Sequence, residues 1–228
     1  PFAIRHSPFA KESVLFISVI IIIIAAALFG ALHSILASHT LKAILEKWMG
    51  RWYRLFFNAV AGITFALLMG GTALLPDKTL YLVPSPWRWA MVAIQFLALV
   101  AAGLTLLQTD VWRFLGLSQA LRSGPLEAET LQVVGAYQWS RHPLYLFSLT
   151  ILWLSPMMTV NQLTLYIVFS VYFYIGATFE ENKLVHDFGD IYRAYQKTVP
   201  KLIPWKPVLW TMRANADEFR VYLEEQSA

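Results

Sequence analysis

Apolar runs of about 20 residues recur along this chain, each long enough for a helix to cross a hydrocarbon layer about 30 Å thick. Inside lipid the backbone has no water to bond, so a single apolar run satisfies its own N–H and C=O groups as a helix. The runs cover residues 14–37, 55–75 and 87–107, and residues 143–179 are also almost wholly apolar. Ser155-Pro156 and Asn161-Gln162 interrupt that last stretch midway, so it divides into spans 143–159 and 162–179 joined by a short turn. The expected architecture is all-α: one polytopic membrane domain over residues 1–228, about five transmembrane helices, and a cytosolic C-terminal segment 180–228. Composition agrees, because 14% of residues are charged, against about 25% in a soluble domain. The first run exceeds the roughly 7–15-residue core of a signal peptide, and more runs follow it.

Charge sets the expected orientation. Lys42, Lys47, Arg51 and Arg54 follow the first span with only Glu46 against them, while Arg113 and Arg122 follow the third. The tail carries Lys183, Arg193, Lys197, Lys201, Lys206 and Arg213, and the links near Asp77-Lys78 and Pro156 carry little charge. Basic segments stay on the cytoplasmic side. Five spans then leave the N-terminus outside and the C-terminus in the cytosol. Trp48, Trp52, Tyr53, Trp87, Trp89, Trp112 and Trp139 fall near span ends, as an aromatic belt requires. The net charge of +4 is spread over these flanks, so it does not indicate a nucleic-acid partner. Residues 108–140 are expected to form a short interfacial helix and then a loop after Gly124-Pro125. Residues 219–226 read equally as an ordered helix or a frayed tail. The chain has no cysteine. Disulfides, thiolate metal sites and a cysteine nucleophile are excluded, and no metal site is expected. No internal repeat supports an inverted-repeat transporter.

The chemistry gathers at the inner ends of the last two spans. Arg141-His142-Pro143-Leu144-Tyr145 opens one and Glu180-Glu181 closes the next. Ionisable groups at that depth are costly and mark functional sites by default. Plainer readings stand beside this one. Arg141 also serves as an interfacial anchor with Pro143 at the first helical position. Glu180 and Glu181 also serve as a polar helix end, although the helix macrodipole opposes anions there and calls for a cation such as Arg141. Tyr192 and Tyr195, three apart, read equally as a stripe facing lipid headgroups. His33 is read chiefly as a histidine donating to a backbone carbonyl, with ligand binding as the alternative; His39 and His186 are expected at the surface.

The order and spacing of these elements resemble a known family. Arg-His-Pro-x-Tyr, a helical hairpin, Glu-Glu, Phe188-Gly189-x-x-Tyr192-x-x-Tyr195 and Val199-Pro200-x-x-x-Pro204 are similar to the integral membrane methyltransferase superfamily over residues 137–204. That superfamily includes isoprenylcysteine carboxyl methyltransferases, phospholipid methyltransferases and bacterial methanethiol S-methyltransferases. Leu32-His33-Ser34 with Ala37-Ser38 resembles the N-terminal part of the bacterial thiol methyltransferases and of related nitric-oxide-locus membrane proteins.

The resemblance implies S-adenosyl-L-methionine as cofactor, bound without a Rossmann fold; no G-x-G-x-x-G stretch is present. It implies that Tyr137, His142, Pro143 and Tyr145 frame the adenosyl or methionyl part, and that Glu180 or Glu181 meets the ammonium or ribose hydroxyls. Tyr192, Tyr195 and residues 199–204 would close a cytosolic lid. Arg141, His142 and Glu181 are the candidate catalytic residues, and His33 and Arg141 the candidate substrate-binding ones. A bacterial inner membrane is the implied location, with membrane lipid and a small-molecule or lipid-like acceptor as partners; the oligomeric state stays open.

One departure bears on the acceptor. Isoprenylcysteine enzymes carry an arginine just upstream of the paired glutamates, and residues 172–178 hold none. A small or lipophilic thiol is therefore expected first, isoprenylcysteine carboxyl methylation second with Arg141 standing in, and phospholipid amine methylation third. Two rivals of other classes remain. One is a haem protein of the nitric-oxide-locus or carotene-isomerase type, using His33 and a second histidine as axial ligands. The other is a non-catalytic membrane anchor or transporter.

Overall fold

A computed structural model describes residues 8–109, 111–121, 131 and 133–205. The chain is an all-α polytopic membrane protein: four of its helices are long and apolar enough to cross a bilayer, and a fifth apolar helix is shorter. In chain order the elements are α1 (Pro8–Ala37), α2 (His39–Met49), α3 (Tyr53–Leu74), β1 (Thr79–Leu82), α4 (Trp87–Gln108), α5 (Val111–Leu115) and α6 (Leu117–Leu121). Then come α7 (Pro143–Trp153), β2 (Met157–Thr159), α8 (Val160–Phe188) and α9 (Asp190–Thr198). The chain divides into two compact units, and α4 and α8 contribute to both.

The first unit holds α1, α2, α3, β1, the start of α4, most of α5, α6, β2 and the start of α8. Helix α1 packs on α3. It buries Ile22 and Ala26 while Ile17, Ile20, Ile21, Ile23 and Ile24 stay exposed. An apolar exterior of this extent suits lipid rather than water. Ser38 begins α2, its hydroxyl accepting from the Leu41 N–H at 3.3 Å. Strands β1 and β2 pair antiparallel, Thr79 opposite Thr159 and Leu82 opposite Met157. Beside them Val83 N–H donates to Pro156 O at 2.8 Å and Val160 N–H to Lys78 O at 3.0 Å. Asn161 is almost fully buried. Its Nδ2 donates to Leu75 O and Pro76 O at 3.4 and 3.2 Å, and its N–H donates to Asp77 Oδ1 at 3.1 Å.

The second unit holds most of α4, all of α7, the last part of α8, and α9. Gln95 on α4 donates to Ile151 O on α7 at 2.7 Å. Tyr192, Tyr195 and Val199 form a buried core, with Leu131, Val133, Leu184, Val185 and Phe188 packed around it. Gly189 (φ 60°) makes the turn between α8 and α9, a left-handed conformation that glycine adopts without steric cost.

Four of the five expected spans appear as long helices, and the fourth in chain order differs. Residues 143–159 form an 11-residue helix, α7, and then the extended segment containing β2, rather than one continuous span. Pro156 is the reason: it disfavours helix at the residue before it and cannot donate a helical bond. The polar groups of the extended backbone need partners, and β1 supplies them. The expected interfacial helix after α4 is two five-residue helices, α5 and α6, separated at Gly116 (φ 86°). The Gly124-Pro125 break, Arg122, Lys206, Arg213 and residues 219–226 lie outside the described residues.

Candidate active site

The residues just before α7 and those near the end of α8 meet in the second unit. Pro143 occupies the first helical position of α7, and His142 precedes it as N-cap. The His142 Nε2 lies 3.1 Å from Glu181 Oε1, and its Nδ1 lies 3.6 Å from Glu180 Oε2. A carboxylate only accepts, so the ring donates from Nε2. Stacking holds the imidazole in place. Its plane is 9° from that of Tyr145 at 5.4 Å, and Tyr145 in turn lies 7° from Phe173 at 5.1 Å.

The two glutamates have different surroundings. The Glu181 side chain is 10% exposed and both its oxygens are occupied. Its Oε1 meets Arg141 Nε at 3.0 Å as well as His142, and its Oε2 accepts from Gln196 Nε2 at 3.0 Å. The Glu180 side chain is 49% exposed, and its Oε2 accepts from the Tyr145 hydroxyl at 3.1 Å. Glu181 is thus an internal bracket, and Glu180 is the carboxylate accessible to an arriving cation. The pair also sits about two turns before the end of α8, which runs on to Phe188, so the unfavourable end of the macrodipole lies further along. Arg141 supplies the expected counter-charge.

Arg141 is itself largely consumed. Its side chain is 11% exposed, and besides Glu181 it donates from Nη1 to Gln196 O at 2.8 Å. Two backbone bonds continue this seam: Arg141 N–H to Pro200 O at 3.0 Å and His142 N–H to Lys201 O at 3.2 Å. The Tyr195 hydroxyl donates to Tyr137 O at 2.5 Å, and Tyr192 packs edge-on against Tyr195 at 5.7 Å. Helix α9 and the strap after it are therefore stitched to residues 137–142. Burial, and secondarily Glu180, pushes the Tyr137 phenol up to about 12. Burial also raises the phenols of Tyr192 and Tyr195 far above their ordinary range, aided by Glu181 at the first and by Tyr192 at the second. All three are neutral at physiological pH.

Of the residues singled out from sequence, Tyr137, Arg141, His142, Pro143, Tyr145, Glu180, Glu181, Tyr192 and Tyr195 fall in this one unit. His33 belongs to the other. There its ring lies 4.9 Å from Phe57, 6.1 Å from Phe29 and edge-on to Tyr172 at 6.5 Å. Its Nδ1 is shielded and has no hydrogen-bond partner among the described residues, so the expected bond to a backbone carbonyl is not made from that atom. Sequence reading passed over Gln196, Phe173 and the carbonyls of Pro200 and Lys201. Gln196 had a signal, since it follows Tyr192 by four residues and so shares its face of α9. Among the described residues no cluster of side chains is suited to a metal ion.

No family model matches the chain, and no solved structure matches it. Curated relatives do. A methanethiol S-methyltransferase of a Pseudomonas species is 30% identical over 203 residues, covering 82% of this chain and 74% of the relative. The methanethiol S-methyltransferase of Mycobacterium tuberculosis is 28% identical over 208 residues, covering 82% and 79%. Methanethiol S-methyltransferase 1 of Bradyrhizobium diazoefficiens is 26% identical over 193 residues, covering 83% and 68%. Likeness at this level over most of both chains places the protein in a family: it belongs to the methanethiol S-methyltransferases.

Proposed function

We propose that this protein methylates a small or lipophilic thiol, using S-adenosyl-L-methionine, at the cytosolic face of a bacterial inner membrane. Its N-terminus lies outside and its C-terminus in the cytosol. The relatives' names support thiol methylation, and the half-exposed Glu180 carboxylate beside stacked aromatic rings is the observation that carries the donor assignment. The donor set fits: a carboxylate, a phenol and ring faces all attract a sulfonium and an α-ammonium. Glu180 and Tyr145 would hold the cationic methionyl part, with His142 and Phe173 extending the aromatic wall. Glu181, fixed by Arg141 and Gln196, would keep His142 in register.

Bound there, the donor supplies an electrophilic methyl group on positively charged sulfur. The acceptor would enter as a thiolate, its proton released to solvent, and S-adenosylhomocysteine would be the neutral leaving group. The protein's own work is to align the acceptor sulfur, the methyl carbon and the leaving sulfur and exclude water. The stitched α9 and its neutral phenols suit the second task. Carboxyl methylation is disfavoured because the Arg141 guanidinium is engaged by Glu181 and Gln196 rather than open to an acceptor carboxylate. Both His142 ring nitrogens face carboxylates, which disfavours this histidine as an axial haem ligand partnering His33.

Labelled S-adenosyl-L-methionine, offered with methanethiol, an isoprenylcysteine or a phospholipid amine, tests the reading. Label on the thiol alone is expected. Label on the isoprenylcysteine or the amine alone would reassign the acceptor. A preparation with strong Soret absorption and no transfer to any of the three would end the methyltransferase reading.

A further inference from the structure

Gln196 touches both members of the Glu181–Arg141 pair. Its Nε2 donates to Glu181 Oε2 at 3.0 Å, and its backbone carbonyl accepts from Arg141 Nη1 at 2.8 Å. The other Glu181 oxygen is taken by Arg141 Nε and His142 Nε2. We propose that Gln196 is a positioning residue for the methyl-donor site: it locks the Glu181 carboxylate in the rotamer that holds His142 flat against Tyr145, so docking of α9 and assembly of the site become one event. The inference rests on the function proposed above.

The residue type suits the task. A carboxylate already shared by a guanidinium and an imidazole needs a donor on its second oxygen, and an amide provides one without altering the local charge. A cation there would compete with Arg141 for Glu181, and an anion would repel it. Gln196 is aimed by its helix: Tyr192, one turn earlier on the same face, is buried and fixes the roll of α9. The consecutive backbone bonds from Arg141 to Pro200 and from His142 to Lys201 fix the other end of the seam. Among the described residues the charged and titratable groups facing the contact are Arg141 and His142 before α7, Glu180 on α8, Tyr192 and Tyr195 on α9 and Lys201 on the strap.

The test uses full-length protein in detergent, with S-adenosylhomocysteine as the probe. Gln196→Ala is expected to bind it about tenfold more weakly. Gln196→Glu sets a second carboxylate about 3 Å from Glu181; the like charges raise one pKa of the pair, which shares a proton at low pH and becomes doubly charged and repulsive as pH rises. Its affinity relative to wild type is expected to fall at least about tenfold as pH rises from about 5.5 to 8. Its ligand-free unfolding midpoint is expected to fall relative to wild type over the same range. A merely space-filling Gln196 would give no such pH dependence. Gln196→Glu tracking wild type at every pH in both measurements overturns the inference while leaving the function intact. Wild type that binds no S-adenosylhomocysteine overturns both.

Discussion

Adjacent glutamates in the chain have unequal tasks in the fold. Replacing Glu181 with alanine strands Arg141, whose side chain is largely enclosed. Breaking a buried pair from one side costs about 3–5 kcal/mol, so Glu181→Ala is expected to lower the unfolding midpoint and to weaken S-adenosylhomocysteine binding at least about tenfold. Glu180→Ala is expected to weaken binding with little change in the midpoint, because that side chain is half exposed and meets Tyr145 at 3.1 Å and His142 Nδ1 only at 3.6 Å. His142→Ala is expected to weaken binding by at least about tenfold as well. Calorimetric titration beside thermal unfolding separates these outcomes, and unchanged affinity in both His142→Ala and Glu181→Ala would remove the donor site from this position. The motif residues were legible because proline, histidine and paired carboxylates are conspicuous in a greasy chain. Which glutamate faces inward was not, since that depends on the roll of α8; Gln196 carried only the signal of its spacing from Tyr192.

At the scale of elements, α9 is stitched to residues 137–142, and the stability of that seam is expected to fall in alkali. An unfolded tyrosine titrates near 10, whereas Tyr137 is raised to about 12 and Tyr192 and Tyr195 also titrate above their usual range. Below about pH 10 these phenols are protonated in both states and the stability they confer is complete. Above it the unfolded chain binds fewer protons than the folded one, so stability is expected to decline as pH climbs toward 12. In an ultraviolet titration of tyrosinate these three are expected to ionise late, together with the loss of α9 packing. The four long apolar helices were readable from apolar length alone, whereas α2, read only as a basic link, was not. The extent of α7 was not: Ser155-Pro156 looked like a turn between two crossings, and pairing of residues 157–159 with residues 79–82 is a long-range contact that local pattern does not encode. Asn161 looked like an interruption and is instead a clamp. Asn161→Ala is expected to cost about 1–3 kcal/mol, read as a lower unfolding midpoint.

For the molecule as a whole, the four long helices settle residence in a membrane, and α7 gives that residence a particular cost. Eleven helical residues span about 16 Å, roughly half the hydrocarbon thickness. Beyond it the chain turns at Leu154 and is extended over residues 157–159, at about 3.3 Å each, held by β1 and by Asn161. A long helix meets a thicker bilayer by reducing its tilt, but a nearly extended, hydrogen-bonded segment has little slack. Hydrophobic mismatch should therefore act on this protein through one weak link. Reconstituted into phosphatidylcholines of increasing acyl length, it is expected to pass through a narrow optimum of methyl transfer, with Asn161→Ala narrowing it further; a flat profile across chain lengths would deny that link. The thickness of the surrounding lipid is thereby expected to act as a control on the rate, exerted through the short apolar helix α7.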